Sequence, residues 1–209
     1  NPGRTPSKLS GRPVSEKPSP GTGWLRPIAL TCGWRRTSRT VRIGEQDAKI
    51  AGLVADAGKA LIIAFNKRDL ITGKDEKLLT DNRDRQLQFV PWALQLSCSA
   101  VEKKNVLRLL TEAQRCYASY ARRVATGELN RFFSGIVQKH PPPLHNGKPI
   151  RLYYITQAQT RPPTFVISVN QPDGMHFSYQ RYLQNQLRDT FGFVGTPVRL
   201  YARAKTRAS

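Results

Sequence analysis

An α/β unit of parallel strands covered by helices, followed by a small α+β domain, is the fold class this sequence predicts, and three observations predict it. Two short apolar runs, "ALIIAFN" from Ala60 and "LQLSCS" from Leu94, are bounded by polar residues, the pattern of parallel strands buried on both faces. Segments of helical spacing alternate with these runs, as they do where helices cover a parallel sheet. After Gly127 the order changes to helix, strand, strand, helix, strand.

Residues 1–42 hold six of the fifteen prolines, nine Lys+Arg and one acid, Glu16, with no sustained period of 3.6 or 2. The segment is expected to be disordered or foreign to the fold. Its Arg- and Ser-rich composition resembles that of an organelle transit peptide, but the chain opens on Asn1 rather than Met. From Gly44, "EQDAKIAGLVADAGK" places Ile50, Leu53, Val54 and Ala57 on one helical face and ends at Gly58. The strand "ALIIAFN" follows, then a helix in "DEKLLTDNRDRQLQF" and a second strand from Leu94 to Ser99. A longer helix carries Val106, Leu109, Leu110, Ala113, Tyr117, Tyr120 and Ala121 at helical spacing, with Val124 continuing the series. The second unit has a helix over 128–139, a Pro141-Pro142-Pro143 break, and strands near 151–157 and 164–170. A further helix buries Phe177, Tyr182, Leu183, Leu187 and Phe191, and "TPVRLYAR" supplies the last strand. The units predicted are 1–42, 43–126 and 127–204, with a basic tail over 205–209.

A hydrophobic fraction of 39% in 209 residues is enough for a real core. The 34 Lys+Arg exceed the 14 Asp+Glu for a net charge of +20, which favours a polyanionic partner, and nucleic acid over a membrane surface. No run nears the roughly 20 apolar residues that span a bilayer, so a soluble chain without a membrane partner is expected. Cys32, Cys98 and Cys116 are odd in number, widely spaced and lack CxxC pairing, which suggests a reducing compartment and neither a disulfide framework nor a zinc site. His140, His145 and His176 have no partners at metal-ligand spacing, so no metal ligand is assigned.

The first strand delivers Asn66, Lys67 and Asp69 at its carboxyl end, where α/β sheets place ligands. Guanine presents two donors, N1–H and the exocyclic amine, on one edge, and a carboxylate such as that of Asp69 accepts both in a charge-assisted pair. Adenine offers an acceptor at N1, and a buried mismatch of this kind costs on the order of 10⁴-fold in discrimination. The Asn would tie the loop together and reach the base, while the Lys stem covers the purine. N-K-x-D recurs by chance. Here it follows a buried strand and precedes "SCSA", at the end of the next strand, where Ser99 would be followed by a backbone N–H of Ala100 free for the guanine oxygen.

"GEQDAKIAGLVADAGKALIIAFNKRDL" resembles the second GTPase domain of the Der, or EngA, family of bacterial ribosome-assembly GTPases. "IRLYYITQAQTRPPTFVISVN" and "FSYQRYLQNQLRDTFGFVGTPVRLYAR" are similar almost throughout to the KH-like domain of that family. The resemblance covers Gly44 to about Arg203. It implies part of a G domain of the P-loop NTPase kind, followed by a KH-like α-β-β-α-β domain. It also implies that Asn66, Lys67, Asp69, Ser99 and Ala100 match the guanine-binding positions, that GTP or GDP with Mg²⁺ is the family's ligand, and that the work is done on the large ribosomal subunit in the cytoplasm. Two departures are local. Arg68 replaces a residue that is commonly Trp and should point away from the base, and Gln159 stands where the family usually has Gly in a turn.

A third departure concerns the phosphates. GTP hydrolysis needs a GxxxxGK[ST] loop and switch residues that position water, and the 209 residues contain none; Gly52 to Ala60 has the wrong spacing and Ala60 where a hydroxyl is needed. No catalytic residue is therefore assigned, and GTP binding by this chain is expected to be weak or absent. Asp189 to Gly192 fits a DxxG switch, but Gly192 reads better as a helix C-cap. Gly192 to Gly195 fits the GxxG of RNA-binding KH domains, yet encloses Phe193 and Val194 and leads into a strand, as a structural turn would. RNA contacts are assigned instead to Arg151, Arg161, Arg181, Arg199, Arg203 and Lys205, in a region where eleven Lys+Arg after Thr126 face three Asp+Glu. Specificity for DNA is not expected. The alternative function is a nucleotide-independent ribosome-binding module or a non-functional remnant. Residues 1–42 are expected to come from a wrong reading frame or a joined fragment, which the other frames of the coding DNA would decide.

Overall fold

The computed structural model describes residues 28–33, 35–37 and 40–205. Its first unit is a parallel sheet of β1 (Ile28–Gly33), β4 (Leu61–Asn66) and β5 (Leu94–Ser97), in the order β1-β4-β5. β4 is the centre of the sheet because Leu61 to Phe65 are apolar without interruption, and all five are buried. β1 runs in parallel register with it, Ile28 opposite Leu61 and Gly33 opposite Asn66. A hairpin of β2 (Arg35–Thr37) and β3 (Thr40–Arg42) lies between β1 and the helix α1 (Glu45–Asp56).

These three strands replace the expectation of disorder at 28–33, 35–37 and 40–42. An uncovered edge of β4 would leave backbone N–H and C=O groups unpaired, and an extended apolar stretch, "IALTCG", satisfies them. Residues 1–27, and the tail beyond Lys205, lie outside the described residues.

Helix α1 begins with the Asp47 carboxylate accepting the Gly44 N–H at 3.2 Å, and α2 (Gly73–Gln86) with Asp75 accepting both the N–H and the hydroxyl of Thr72. Of the predicted face of α1 only Val54 is buried, with Ala51 beside it, while Ile50 is 36% and Leu53 69% exposed. The apolar arc of this helix is wider than its contact with the sheet, so only the small residues face inward. Helix α3 (Val106–Ala121) keeps only the end of its predicted series, Tyr120, buried. It buries Cys116, Ser119 and Tyr120, while Val106, Leu110 and Tyr117 are exposed, because small side chains let it lie close to the second unit.

That second unit is α4 (Thr126–Lys139), β6 (Leu152–Gln159), β7 (Thr164–Val169), α5 (Phe177–Phe191) and β8 (Arg199–Ala204), the predicted α-β-β-α-β order. Its sheet order is β6-β7-β8, antiparallel then parallel. Both helices bury one face on the same side of the sheet, Leu129, Phe133 and Ile136 from α4 and Leu183, Leu187 and Phe191 from α5, against Ile155, Phe165, Ile167 and Leu200. Phe177, predicted to be buried, is 65% exposed at the first turn of α5, and Tyr179 takes its place in the core. In the turn after β6 the left-handed residue is Arg161 at φ 66, while Gln159 remains in the strand.

The units meet through Gly58 and Gly195. The Leu61 N–H donates to the Gly195 carbonyl at 2.8 Å, and a Cβ on Gly58 would run into the Arg199 guanidinium and the Pro162 ring. Both glycines sit at positive φ, 67 and 60, and a Cβ on Gly195 would run into Cys116 Sγ.

Candidate functional site

Asn66 ends β4, and the next residue, Lys67, is left-handed at φ 67 and ψ 36. For a residue with a Cβ this conformation is sparsely populated, and it persists where the surroundings over-determine it. Here they do so through Asn66 Oδ1, which accepts the Lys67 N–H at 2.8 Å and the Ala100 N–H at 3.0 Å. One side chain thus closes its own turn and staples it to the loop after β5. The Arg68 N–H donates to the Cys98 carbonyl at 3.1 Å, and a short 3₁₀ turn, Arg68–Leu70, presents Asp69.

The second loop is equally braced. The Ser99 hydroxyl donates to Asp69 Oδ1 and accepts the Glu102 N–H at 3.1 Å, the Ser99 N–H donates to the Lys104 carbonyl, and Asn105 Nδ2 donates to the Ser97 carbonyl at 3.0 Å. Glu102 and Lys104 form an ion pair of 2.8 Å, which raises the Lys104 pKa. Ser99 is 1% exposed, whereas Asp69 and Ala100 face solvent. A carboxylate oriented by a buried hydroxyl keeps acceptor sites for two donors on one edge, the requirement for guanine.

All five residues expected from the sequence are therefore brought together. One detail differs: the Ala100 N–H assigned to the guanine oxygen is engaged by Asn66 Oδ1. That N–H is taken up by the bond that ties the two loops together. Arg68 turns away from Asp69 and pairs with Glu76 of α2. No group of three or more His, Cys, Asp or Glu that could hold a metal ion occurs among the described residues.

The six basic residues assigned to RNA are not one cluster. Arg199 Nη2 donates to the Asp56 carbonyl at 3.2 Å and belongs to the contact between units. The Arg161 guanidinium lies 5.8 Å from the Tyr117 ring beside that contact. Arg181 lies over Phe177 at 6.0 Å and lines a cleft of about 270 Å³ with Trp92 and Arg188, the last with its pKa lowered by burial. Arg151 is exposed at the start of β6, where its N–H donates to Asn170 Oδ1 at 2.8 Å. Arg203 and Lys205 share the outer sheet face, Lys205 Nζ standing 4.6 Å from the centroid of Tyr153.

Sequence reasoning missed Tyr153, Tyr154 and Tyr201, which are 42%, 48% and 52% exposed on that face. The signal was the doubled tyrosine of "LYYIT", which interrupts strict alternation. It marks the register shift between Leu152 and Tyr154, and the shift leaves both rings outside.

Residues 123–203 match a family described as the KH-domain-like of EngA bacterial GTPase enzymes, C-terminal. The chain is 40% identical over 168 residues to the GTPase Der of Geobacter metallireducens, covering 79% of the chain and 38% of that relative. To the GTPase Der of Bacillus cytotoxicus it is 44% identical over 164 residues, 77% of the chain and 37% of the relative. For that of Moorella thermoacetica the figures are 45% over 167 residues, 78% and 38%. The chain thus spans about two fifths of the length of the curated relatives it matches. With the C-terminal family domain at 123–203 and this identity running through most of its length, the chain is a relative of the Der, or EngA, GTPases and matches the C-terminal part of that family.

Proposed function

We propose that this chain carries the guanine-reading half of a Der-like nucleotide site, joined to a KH-like domain that contacts ribosomal RNA on the large subunit during its assembly in the cytoplasm. The observation that supports the base site is the pair of hydrogen bonds between loops, Ser99 to Asp69 and Ala100 to Asn66. They hold the acceptor edge in place before any ligand arrives, and such preorganisation lowers the cost of binding. The phosphate loop and Mg²⁺ ligands are not among the 209 residues, and those groups supply the electrostatics of phosphoryl transfer. This polypeptide alone binds GTP or GDP through the base, weakly, and does not hydrolyse GTP.

Turnover measurements on the purified chain, with and without Mg²⁺, test this. The expected result is no turnover above background; Mg²⁺-dependent hydrolysis that disappears in Asp69→Asn overturns it. A second reading, a ribosome-binding module indifferent to nucleotide, is favoured by the basic second unit and tail, in which eleven Lys+Arg after Thr126 face three Asp+Glu. Sedimentation with large ribosomal subunits, with and without a GTP analogue, separates the two, since only the first predicts nucleotide dependence.

A further inference from the structure

The outer face of the β6-β7-β8 sheet has no covering element of its own domain, because α4 and α5 both pack on the other side. Strand register sets out what this face presents. Tyr154, Ser168 and Arg203 form one row across the three strands, and Thr156, Val166 and Tyr201 the next. The register shift adds Tyr153 beside Tyr154, and Lys205 stands over the Tyr153 ring. No Asp or Glu occurs in any of the three strands, and neither Arg203 nor Lys205 is in an ion pair with a described residue. Ser168 is 4% exposed and its hydroxyl has no hydrogen-bond partner, an unspent polar group lying between Tyr154 and Arg203.

We propose that this face is a stacking platform for single-stranded RNA. The inference rests on the reading of the domain as one that contacts RNA, and it names the mode. Exposed aromatic rings on a sheet offer flat faces to unpaired bases, while neighbouring cations take the phosphates. From strand spacing and rise, Tyr154 and Tyr201 are about 12 Å apart, far enough to receive two separate bases. Arg203 stands in the row of Tyr154 and two residues along β8 from Tyr201, where a backbone running between the two rings would pass. A base that displaces Tyr154 or Arg203 slightly would reach the Ser168 hydroxyl. An RNA duplex, whose bases are stacked on each other, gains nothing from the rings. A protein partner would want apolar burial and would leave Arg203, Lys205 and Ser168 without anionic or polar groups to meet.

The test is fluorescence anisotropy of a labelled, mixed-sequence RNA octamer and of its duplex with the complementary strand, using the full 209-residue chain. The single strand should bind more tightly than the duplex. Tyr154→Ala and Tyr201→Ala should each weaken it about tenfold, and Tyr→Phe at either position should retain binding within about twofold. Arg203→Gln should lower the salt slope by about 0.7, the value for one phosphate of a single strand. Because Tyr154 and Tyr201 are about half exposed, the alanine variants should lose only a few degrees of thermal midpoint and stay folded at the assay temperature, and the phenylalanine variants should match the parent chain. Equal or tighter duplex binding, or octamer binding unchanged in both alanine variants, overturns the proposal. Subunit sedimentation is scored separately. Loss of sedimentation by the parent chain with the tyrosine pattern intact sinks the ribosome reading and spares this one; sedimentation without any octamer binding does the reverse.

Discussion

Asp69 is exposed, yet Ser99, almost wholly buried, gives it a hydroxyl and a fixed direction. In the proposed reading its acceptor edge discriminates the base, so changing acceptor to donor should change the ligand. In Asp69→Asn the new amide donates where the carboxylate accepted. Weak binding of GDP, followed by ligand-detected NMR, should give way to a preference for xanthosine diphosphate, which carries a carbonyl in place of the exocyclic amine. Undiminished GDP binding by the variant would place the base elsewhere. Lys67 and Asn66 act as a unit: the left-handed turn at Lys67 is retained because Asn66 Oδ1 accepts its N–H.

Between elements, the contact of β4 and α3 with the loop before β8 concentrates the strain. Gly195 is at φ 60, its carbonyl accepts the Leu61 N–H, and the space for a Cβ is taken by Cys116 Sγ, with the Leu61 carbonyl at 3.3 Å. Gly195→Ala should destabilise the fold by about 1–3 kcal/mol, measured as a shift in the urea midpoint. Cys116→Ala in the same chain should recover part of that loss, since it removes the clash and leaves the unfavourable φ. A double variant no more stable than the single would show that Cys116 is not what the Cβ meets. The GxxG stretch thus serves as the structural turn that its sequence predicts, with Gly192 closing α5 and Gly195 against the neighbouring unit.

Across the whole molecule, burial shifts several groups in one direction. It pushes the Cys116 thiol up to about 11 and Tyr179 up to about 12, and raises Tyr120. A group whose pKa is higher in the folded state ionises first in the unfolded chain. Its contribution to stability is therefore complete below its unfolded value, near pH 9 for the thiol, and is lost as pH rises through the folded one. Thermal midpoints should fall between pH 9 and about 11, with a shallower fall in Cys116→Ala and the tyrosine part remaining. An identical slope in that variant would remove the thiol from the account. No helix among the described residues is long and apolar enough to cross a membrane, and the net charge of +20 makes any RNA affinity steeply salt-dependent.

Much was legible in the order of residues because its signals are local. Continuous apolar runs gave β4 and β5, helical spacing gave α2, α4 and α5, and N-K-x-D at a strand end pointed to the loop that Asn66 and Ser99 brace. Local signals do not say which part of an apolar helix face meets a neighbour, so Leu53 and Leu110 were placed inside and Phe177 with them. Nor do they reveal what pairs with an open strand edge, which is why β1 was not expected. The engagement of the Ala100 N–H by Asn66, the seating of Gly195 on Cys116, and the alignment of Tyr154, Ser168 and Arg203 join residues 34, 79 and up to 49 positions apart. Only packing brings such residues together, so the tertiary structure decided them.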